Sequence, residues 1–377
     1  MQSEFAILFR EEINEYDFGP GHPFHGRRGE DFLNFLKEKT KTDFLVLKAK
    51  KASDEDLSLI CKKDYIEFTK NYFEAANKGK VYDGSPAQVP SGLYGVKFFQ
   101  YHSVDNLPVG KPGKIEEAAR YIIGQAKLAA DLIWQGKFKK VISIGGGLHH
   151  AKPSFGEGFC IYNDVAFCVK YLIEKYNLKK ILILDTDAHA GNGTMEYFWE
   201  DPRVLFIDLH QDPKTLYPGT GFIYQKGLGR GEGLKINIPL PPFSGDIAYK
   251  MAFEEIIEPI VKEFKPQIII RNGGSDPHFA DQLTNLNLTI KGFKMIGQKV
   301  KNLAEICNGK EIDLIASGYN LKVLPFVWTA LISGLIGVRV EIQEPIPLQK
   351  IQEPIEETKK VLEEIKKEFK KYWNCLK

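Results

Sequence analysis

The stretch Ile181-Leu182-Ile183-Leu184-Asp185-Thr186-Asp187-Ala188-His189 decides the fold: four aliphatic residues run straight into two carboxylates and an imidazole. A short uninterrupted apolar run of this kind reads as a strand buried on both faces of a parallel sheet. In open parallel sheets ligands gather beyond the carboxyl ends of the strands. Two further stretches repeat the arrangement. Val141-Ile142-Ser143-Ile144-Gly145-Gly146-Gly147-Leu148-His149-His150 ends in a glycine turn and tandem histidines, and Ile268-Ile269-Ile270-Arg271-Asn272-Gly273-Gly274-Ser275-Asp276 ends in a Gly-Gly turn and an aspartate. Three such tips meeting at one sheet edge make a metal site.

Asp185, Asp187 and His189 occupy alternate positions and are expected to point the same way from an extended backbone, with Thr186, Ala188 and Ala190 small enough to pack behind them. Aspartate and histidine are oxygen and nitrogen ligands of Zn²⁺, and a catalytic zinc usually takes three protein ligands and keeps a position open for water. Asp187 and His189 supply two, and Asp276 is the natural third. Singly, a strand-end Asp is more often a cap and a glycine run more often a turn, so the conjunction carries the argument. His149 and His150 add proton transfer, because imidazole titrates near working pH.

The rest of the chain fits one α/β domain. Its 377 residues contain no Ser/Gly-rich or Pro-rich linker. Apolar strands are expected at about Phe5 to Phe9, Val141 to Ile144, Ile181 to Leu184, Val204 to Ile207, Ile268 to Ile270 and Leu314 to Ala316. Amphipathic stretches lie between them, among them Glu116 to Gln135, Asn163 to Tyr176 and Tyr249 to Phe264. That alternation implies three layers, a mainly parallel central sheet with helices on both faces. Residues 1–345 are expected to form the catalytic body and 346–377 an amphipathic helix, its apolar Val361, Leu362, Ile365, Phe369 and Tyr372 docked on that body or on a partner subunit.

Composition excludes several partners. Lys plus Arg is 51 against Asp plus Glu at 49, a net charge of +2, so no nucleic-acid footprint extends over the molecule. Met1 to Glu11 lacks a basic n-region and reads as a first strand, not a signal peptide. The uncharged run Val323 to Val338 is shorter than the ~20 residues of a membrane span and reads as a buried helix. Cys61, Cys160, Cys168, Cys307 and Cys375 lack CxxC spacing, which fits reduced thiols in a cytoplasmic protein, Cys160 and Cys168 serving as small core residues.

GGGLHHA (Gly145 to Ala151), GFCIYND (Gly158 to Asp164), DTDAHAGNGT (Asp185 to Thr194), LHQDPKTLYPGTG (Leu209 to Gly221), GGSDPHFADQL (Gly273 to Leu283), NLTIKG (Asn287 to Gly292) and SGYN (Ser317 to Asn320) appear in the order in which the zinc-dependent histone deacetylases carry them. The chain resembles that family and its bacterial relatives, the acetoin-utilisation proteins and acetylpolyamine amidohydrolases. Weaker similarity runs from near Gly19 to about Gly337, nearly the whole chain.

The resemblance implies an arginase/deacetylase-like fold and hydrolysis of an N-acetyl amine on Zn²⁺, with Fe²⁺ as the alternative ion. It makes His150 the general base and acid and His149 an electrostatic partner, with Asp185 the acceptor for His149 and Asn192 the acceptor for His150. Asn192 stands where one branch of the family has Asp and another Asn. Tyr319 matches the oxyanion donor. Gly158, Phe159 and Tyr217 match channel walls and Leu283 a rim residue, where leucine favours a lysine side chain on a peptide over a free polyamine. His22 and His25 lie in a loop that either lines this rim or caps a turn. Asp185, with backbone carbonyls of Asp187, His189 and Leu209, matches a K⁺ or Na⁺ site, to which Asp208 adds a carboxylate where several relatives have Ser. The substrate is an acetylated protein or a small acetylated amine, and a homo-oligomer is left open. Two other readings stand beside this one. An arginase-like ureohydrolase with two Mn²⁺ lacks its ligands, because Gly191 and Pro277-His278 occupy the positions of its further aspartates; a silent acetyl-lysine-binding module would not need the complete ligand, histidine and tyrosine set.

Overall fold

The computed structural model describes residues 4–41, 44–80, 97–348 and 351–377. Among these residues eight strands form one sheet: β1 (Phe5–Leu8), β2 (Val46–Leu47), β3 (Lys140–Ile144), β4 (Ile181–Asp185), β5 (Val204–Gln211), β6 (Lys235–Leu240), β7 (Ile268–Gly273) and β8 (Glu311–Ile315). Their order is β2-β1-β3-β8-β7-β4-β5-β6, and every neighbouring pair is parallel. Within the stretch Met1 to Glu11 the first strand begins at Phe5, and residues 1–3 lie outside the described residues.

Every residue of β4, β5, β6, β7 and β8 is buried, with no alternation along the strand. Strands buried on both faces need helices on both, and two groups supply them. Ile115–Trp134 packs against β3 and against Asp164–Tyr176; Leu324–Ile336 packs against Ile290–Ala304 and Arg28–Thr40. The central strand β7 touches a member of each group. The uncharged run at Val323 to Val338 is the buried helix Leu324–Ile336, ended by Gly337 at φ +76°. No helix among the described residues is long and apolar enough to cross a membrane.

Four adjacent strands, β3, β8, β7 and β4, carry the chemistry. Ser143 pairs with Leu314, Leu314 with Asn272 and Asn272 with Asp185, so the four tips end level. The three tips read from the sequence therefore meet at one edge, and β8 brings Ser317 and Tyr319 to it as a fourth.

Some elements differ from expectation. β2 and β6 add two strands at the sheet edges, and β8 starts at Glu311, before the apolar Leu314. The helix expected from Tyr249 to Phe264 is Asp246–Ala252 and Glu258–Phe264 joined by a π-helical turn, Phe253–Ile257. The C-terminal helix, Ile355–Phe369, lies on β6 and on Asp246–Ala252 of this same chain, with Leu362, Ile365 and Phe369 fully buried. Just before it, Glu353 accepts from the amides of Gly245, Ile247 and Ala248, satisfying donors at the start of Asp246–Ala252.

Candidate active site

β4 ends at Asp185 and the backbone bends from there, so Asp185, Asp187 and His189 do not share one extended strand as the sequence suggested. Their own carboxylates make the bend: Asp187 N donates to Asp185 Oδ1 at 3.1 Å, and His189 N donates to Asp187 Oδ1 at 2.9 Å. His189 Nδ1 then lies 3.1 Å from Asp187 Oδ1 and 3.0 Å from Asp276 Oδ2. All three residues are buried, with potential ligand atoms within 4.8 Å of one another. Asp276 is fixed from outside the set, its Oδ1 accepting from Ser317 Oγ at 2.6 Å and its Oδ2 from Ala188 N at 3.1 Å. Burial and the neighbouring Asp187 push its carboxyl up to about 8. Burial opposes a charge on His189, but Asp187 and Asp276 prevail and raise it to about 10. Two carboxylates and one imidazole, buried with their ligand atoms this close, form a donor set that fits Zn²⁺ or Fe²⁺.

The tandem histidines sit on the turn after β3. Asp164 shapes it, accepting from Gly147 N at 2.9 Å and Leu148 N at 2.7 Å. The Asn163 amide donates to the carbonyls of His149 and Ala151 at 3.1 and 3.0 Å. His149 Nδ1 lies 2.8 Å from Asp185 Oδ2, an oxygen that also accepts from Asn272 Nδ2 at 2.9 Å. His150 Nδ1 lies 2.7 Å from Asn192 Oδ1. Electrostatics separate the two rings. Burial works against a charge on His149, yet Asp185 and Asp187 outweigh it and raise its pKa to about 9; burial and the adjacent His149 and His189 hold His150 well below the ordinary imidazole range.

Around them stand the residues expected to line the channel. Gly158, at φ +59°, crosses the face of His150 so closely that a Cβ would lie 2.2 Å from its Cδ2, so any side chain there would displace the imidazole. The Phe159 ring meets Tyr319 at 5.8 Å, the Tyr319 ring meets His189 edge-on at 6.3 Å, and the Tyr217 ring meets His150 at 5.2 Å. Burial holds the Tyr319 phenol well above its usual range, keeping it a donor. Tyr217 is 42 % exposed, which places it where the site opens. Leu283 lines a groove of about 490 Å³ with His25 and Tyr319. His22 also borders this groove, but its nitrogens serve the turn: Nδ1 accepts from Phe24 N at 3.0 Å and Nε2 lies 3.0 Å from the Asp105 carbonyl.

Asp208 is buried behind the site. Its Oδ2 accepts from Gly191 N at 2.8 Å and its Oδ1 lies 2.9 Å from His210 Nδ1, so an imidazole already faces the extra carboxylate. Several residues that shape the site carried no role in the sequence reading. Asn272, Asp164 and Ser317 stand inside or beside the motifs, and their nearness to the glycine turns is the signal that would have found them. Arg28 gave none: it sits on a distant helix and donates from Nη1 to the carbonyls of Ala316 and Gly318, both at 2.9 Å, at the base of the Tyr319 turn. Glu157, within reach of Asn192, gave none either.

Comparison with known proteins bears on the family and the fold. The histone deacetylase domain matches residues 22–335. A "probable deacetylase" from Archaeoglobus fulgidus is 34 % identical, covering 99 % of this chain and 99 % of that protein. The acetoin utilization protein AcuC of Staphylococcus aureus is 34 % identical, covering 90 % of this chain and 83 % of its own length. Among solved structures, the HDA15 HD domain superimposes with a TM-score of 0.80 over 99 % of this chain and 97 % of that one, at 24 % identity, which speaks to the fold.

Proposed function

The chain belongs to the histone deacetylase family and is a deacetylase, a hydrolase of amides, and from that premise we propose that it removes an acetyl or related acyl group from lysine side chains of proteins or from a related acetylated amine. The observation that carries this reading is the meeting of the buried Asp187, His189 and Asp276 set with two histidines, one held by the Asp185 carboxylate and the other by the Asn192 amide oxygen, and with the Tyr319 ring against His189.

Asp187, His189 and Asp276 would hold a Zn²⁺ or Fe²⁺ ion, which would supply Lewis acidity toward the amide carbonyl and the attacking water. His150 is the neutral member of the pair, with Nδ1 tied to Asn192, and takes the proton from water at Nε2 before passing it to the leaving amine. His149, paired with Asp185, carries positive charge beside the developing negative charge. The Tyr319 hydroxyl donates to the oxyanion. Gly158, Phe159 and Tyr217 line the path of a four-carbon stem and exclude water from it, and Leu283 at the rim adds no charge.

The apolar Leu283, beside Lys322 and with no carboxylate among the described residues of its groove, supports an acyl-lysine peptide over an acetylpolyamine, whose cationic chain calls for a carboxylate at that position. Product analysis on a panel of acyl-lysine peptides and acetylpolyamines tests the choice: turnover confined to the polyamines would reverse it. We also propose residues 1–345 as the catalytic body with 346–377 docked on it, a cytoplasmic setting, and a K⁺ or Na⁺ site formed by Asp185 and Asp208 with the carbonyls of Asp187, His189 and Leu209.

A further inference from the structure

An amide beside an imidazole is ambiguous in a way that a carboxylate is not. A carboxylate offers only acceptors, whereas asparagine offers an acceptor at one end and two donors at the other, so Asn192 is able to meet His150 Nδ1 with either. The end it presents selects the ring nitrogen that keeps the proton, and only one tautomer leaves Nε2 free to act as a base.

In this chain a second carboxylate removes the ambiguity. Asn192 Nδ2 donates to Glu157 Oε1 at 2.7 Å, while Asn192 Oδ1 lies 2.7 Å from His150 Nδ1. Among the described residues Glu157 is the acceptor for that amide nitrogen. Glu157 Oε1 also lies 3.0 Å from Lys152 Nζ, and its side chain is 15 % exposed, so it stands at the margin of the site and not on its surface. The loop that carries it is pinned by short bridges, Lys152 with Phe155 and Glu157 with Cys160, and continues directly into Gly158 against the His150 ring. A carboxylate paired with an ammonium accepts and does not donate. It therefore binds only the NH₂ end of Asn192, which leaves the oxygen for His150. An oxygen acceptor at Nδ1 calls for the proton there, and the lone pair of the neutral ring falls on Nε2, the atom 3.1 Å from His149 Nε2.

We propose that Glu157 is a positioning residue for deacetylation, fixing the Asn192 amide and through it the His150 tautomer. The kinetic part of the test rests on the deacetylase reading; the spectroscopic part does not. Metal-matched wild type, Glu157→Ala, Asn192→Asp and the double variant Glu157→Gln/Asn192→Asp are compared on an acetyl-lysine peptide. The His150 tautomer is read by long-range ¹H–¹⁵N correlation in histidine-labelled protein, without turnover. In wild type the proton sits on Nδ1. Glu157→Ala mixes the tautomers and lowers kcat by roughly 10- to 100-fold, the usual cost of losing such a supporting contact, with KM moved no more than about twofold. Asn192→Asp sets two carboxylates against each other and loses at least as much, whereas adding Glu157→Gln to it restores a donor and recovers most of the lost kcat. A His150 tautomer unmoved by Glu157→Ala, or a double variant that recovers none of the kcat lost in Asn192→Asp, would overturn the proposal. Should wild type turn over no acetylated amine, the deacetylase reading fails while the tautomer comparison still decides the role of Glu157.

Discussion

His149 and His150 face each other with their Nε2 atoms 3.1 Å apart, yet their Nδ1 atoms are held by acceptors of different charge, the Asp185 carboxylate at 2.8 Å and the Asn192 amide oxygen at 2.7 Å. Neighbours in sequence and alike in chemistry, the two rings are pushed in opposite directions: Asp185 and Asp187 hold His149 up, while burial and the adjacent His149 and His189 hold His150 down. In the proposed mechanism the first ring takes an electrostatic part and the second the proton transfer.

His150→Ala is accordingly expected to cost about 10²-fold or more in kcat, the scale for a general acid-base group, while the bound metal stays in place. Steady-state kinetics beside elemental analysis checks both halves. Turnover like that of wild type would reject the assignment.

Tyr319→Phe removes one hydroxyl and almost no volume, so it isolates the hydrogen bond offered to the oxyanion. Loss of one such donor typically lowers kcat by about 10² to 10³. Melting temperature should hardly move, because the ring contacts with Phe159 and His189 remain. An unchanged kcat would mean that another group holds the charge.

Stability should depend heavily on one ion pair inside the sheet. Arg271 of β7 and Asp313 of β8 are register partners, both about 1 % exposed, and Arg271 Nε donates to Asp313 Oδ2 at 2.7 Å. Asp313→Ala leaves an unpaired buried guanidinium, a change that typically costs about 3–5 kcal/mol. Urea unfolding measures it, and a loss below about 1 kcal/mol would show that water or another group replaces the carboxylate.

His102 links stability to pH. It is fully buried, lies 3.0 Å from Thr69 Oγ1 through Nε2 and stacks on Phe98, and burial drives its pKa down to about 3. The unfolded chain takes up that proton near pH 6.5, the folded one only near 3, so between those values the unfolded state binds more protons and stability falls as pH falls. At pH above 6.5 the group contributes no slope. His102→Gln should flatten the decline of the unfolding free energy, measured by urea titration, across this window by up to about 1.4 kcal/mol per pH unit. An identical slope in wild type and variant would contradict it.

The sheet was legible where strands open on an aliphatic run and illegible where polar residues come first or recur. β4 and β7 open on unbroken Ile/Leu runs before reaching Asp185 and Arg271, whereas β6 contains Lys235, Asn237 and Pro239, and β8 opens with Glu311 and Asp313. The fold hides these groups by means a one-dimensional pattern does not display. Lys235 donates to the Val204 carbonyl at 2.8 Å, and Asp313 meets Arg271 from the next strand. Pro239 is tolerated because β6 is an edge. Within the site, the residues that bear the chemistry stood out by type and spacing. Those that orient them did not, since Asn272, Ser317, Arg28 and Glu157 act through contacts made only after distant segments meet. The bend after Asp185 was missed for a local reason: alternation suggested a continuing strand, but aspartate side chains captured the backbone amides two residues on.

Elemental analysis and acetyl-lysine peptide hydrolysis on one preparation, before and after chelation and re-addition of metal, test the Asp187, His189 and Asp276 centre most directly. The expected result is one Zn²⁺ or Fe²⁺ per chain, turnover that vanishes and returns with that ion, and inhibition by hydroxamates that chelate it. Two tightly held Mn²⁺ per chain, or undiminished hydrolysis by the stripped protein, would contradict it.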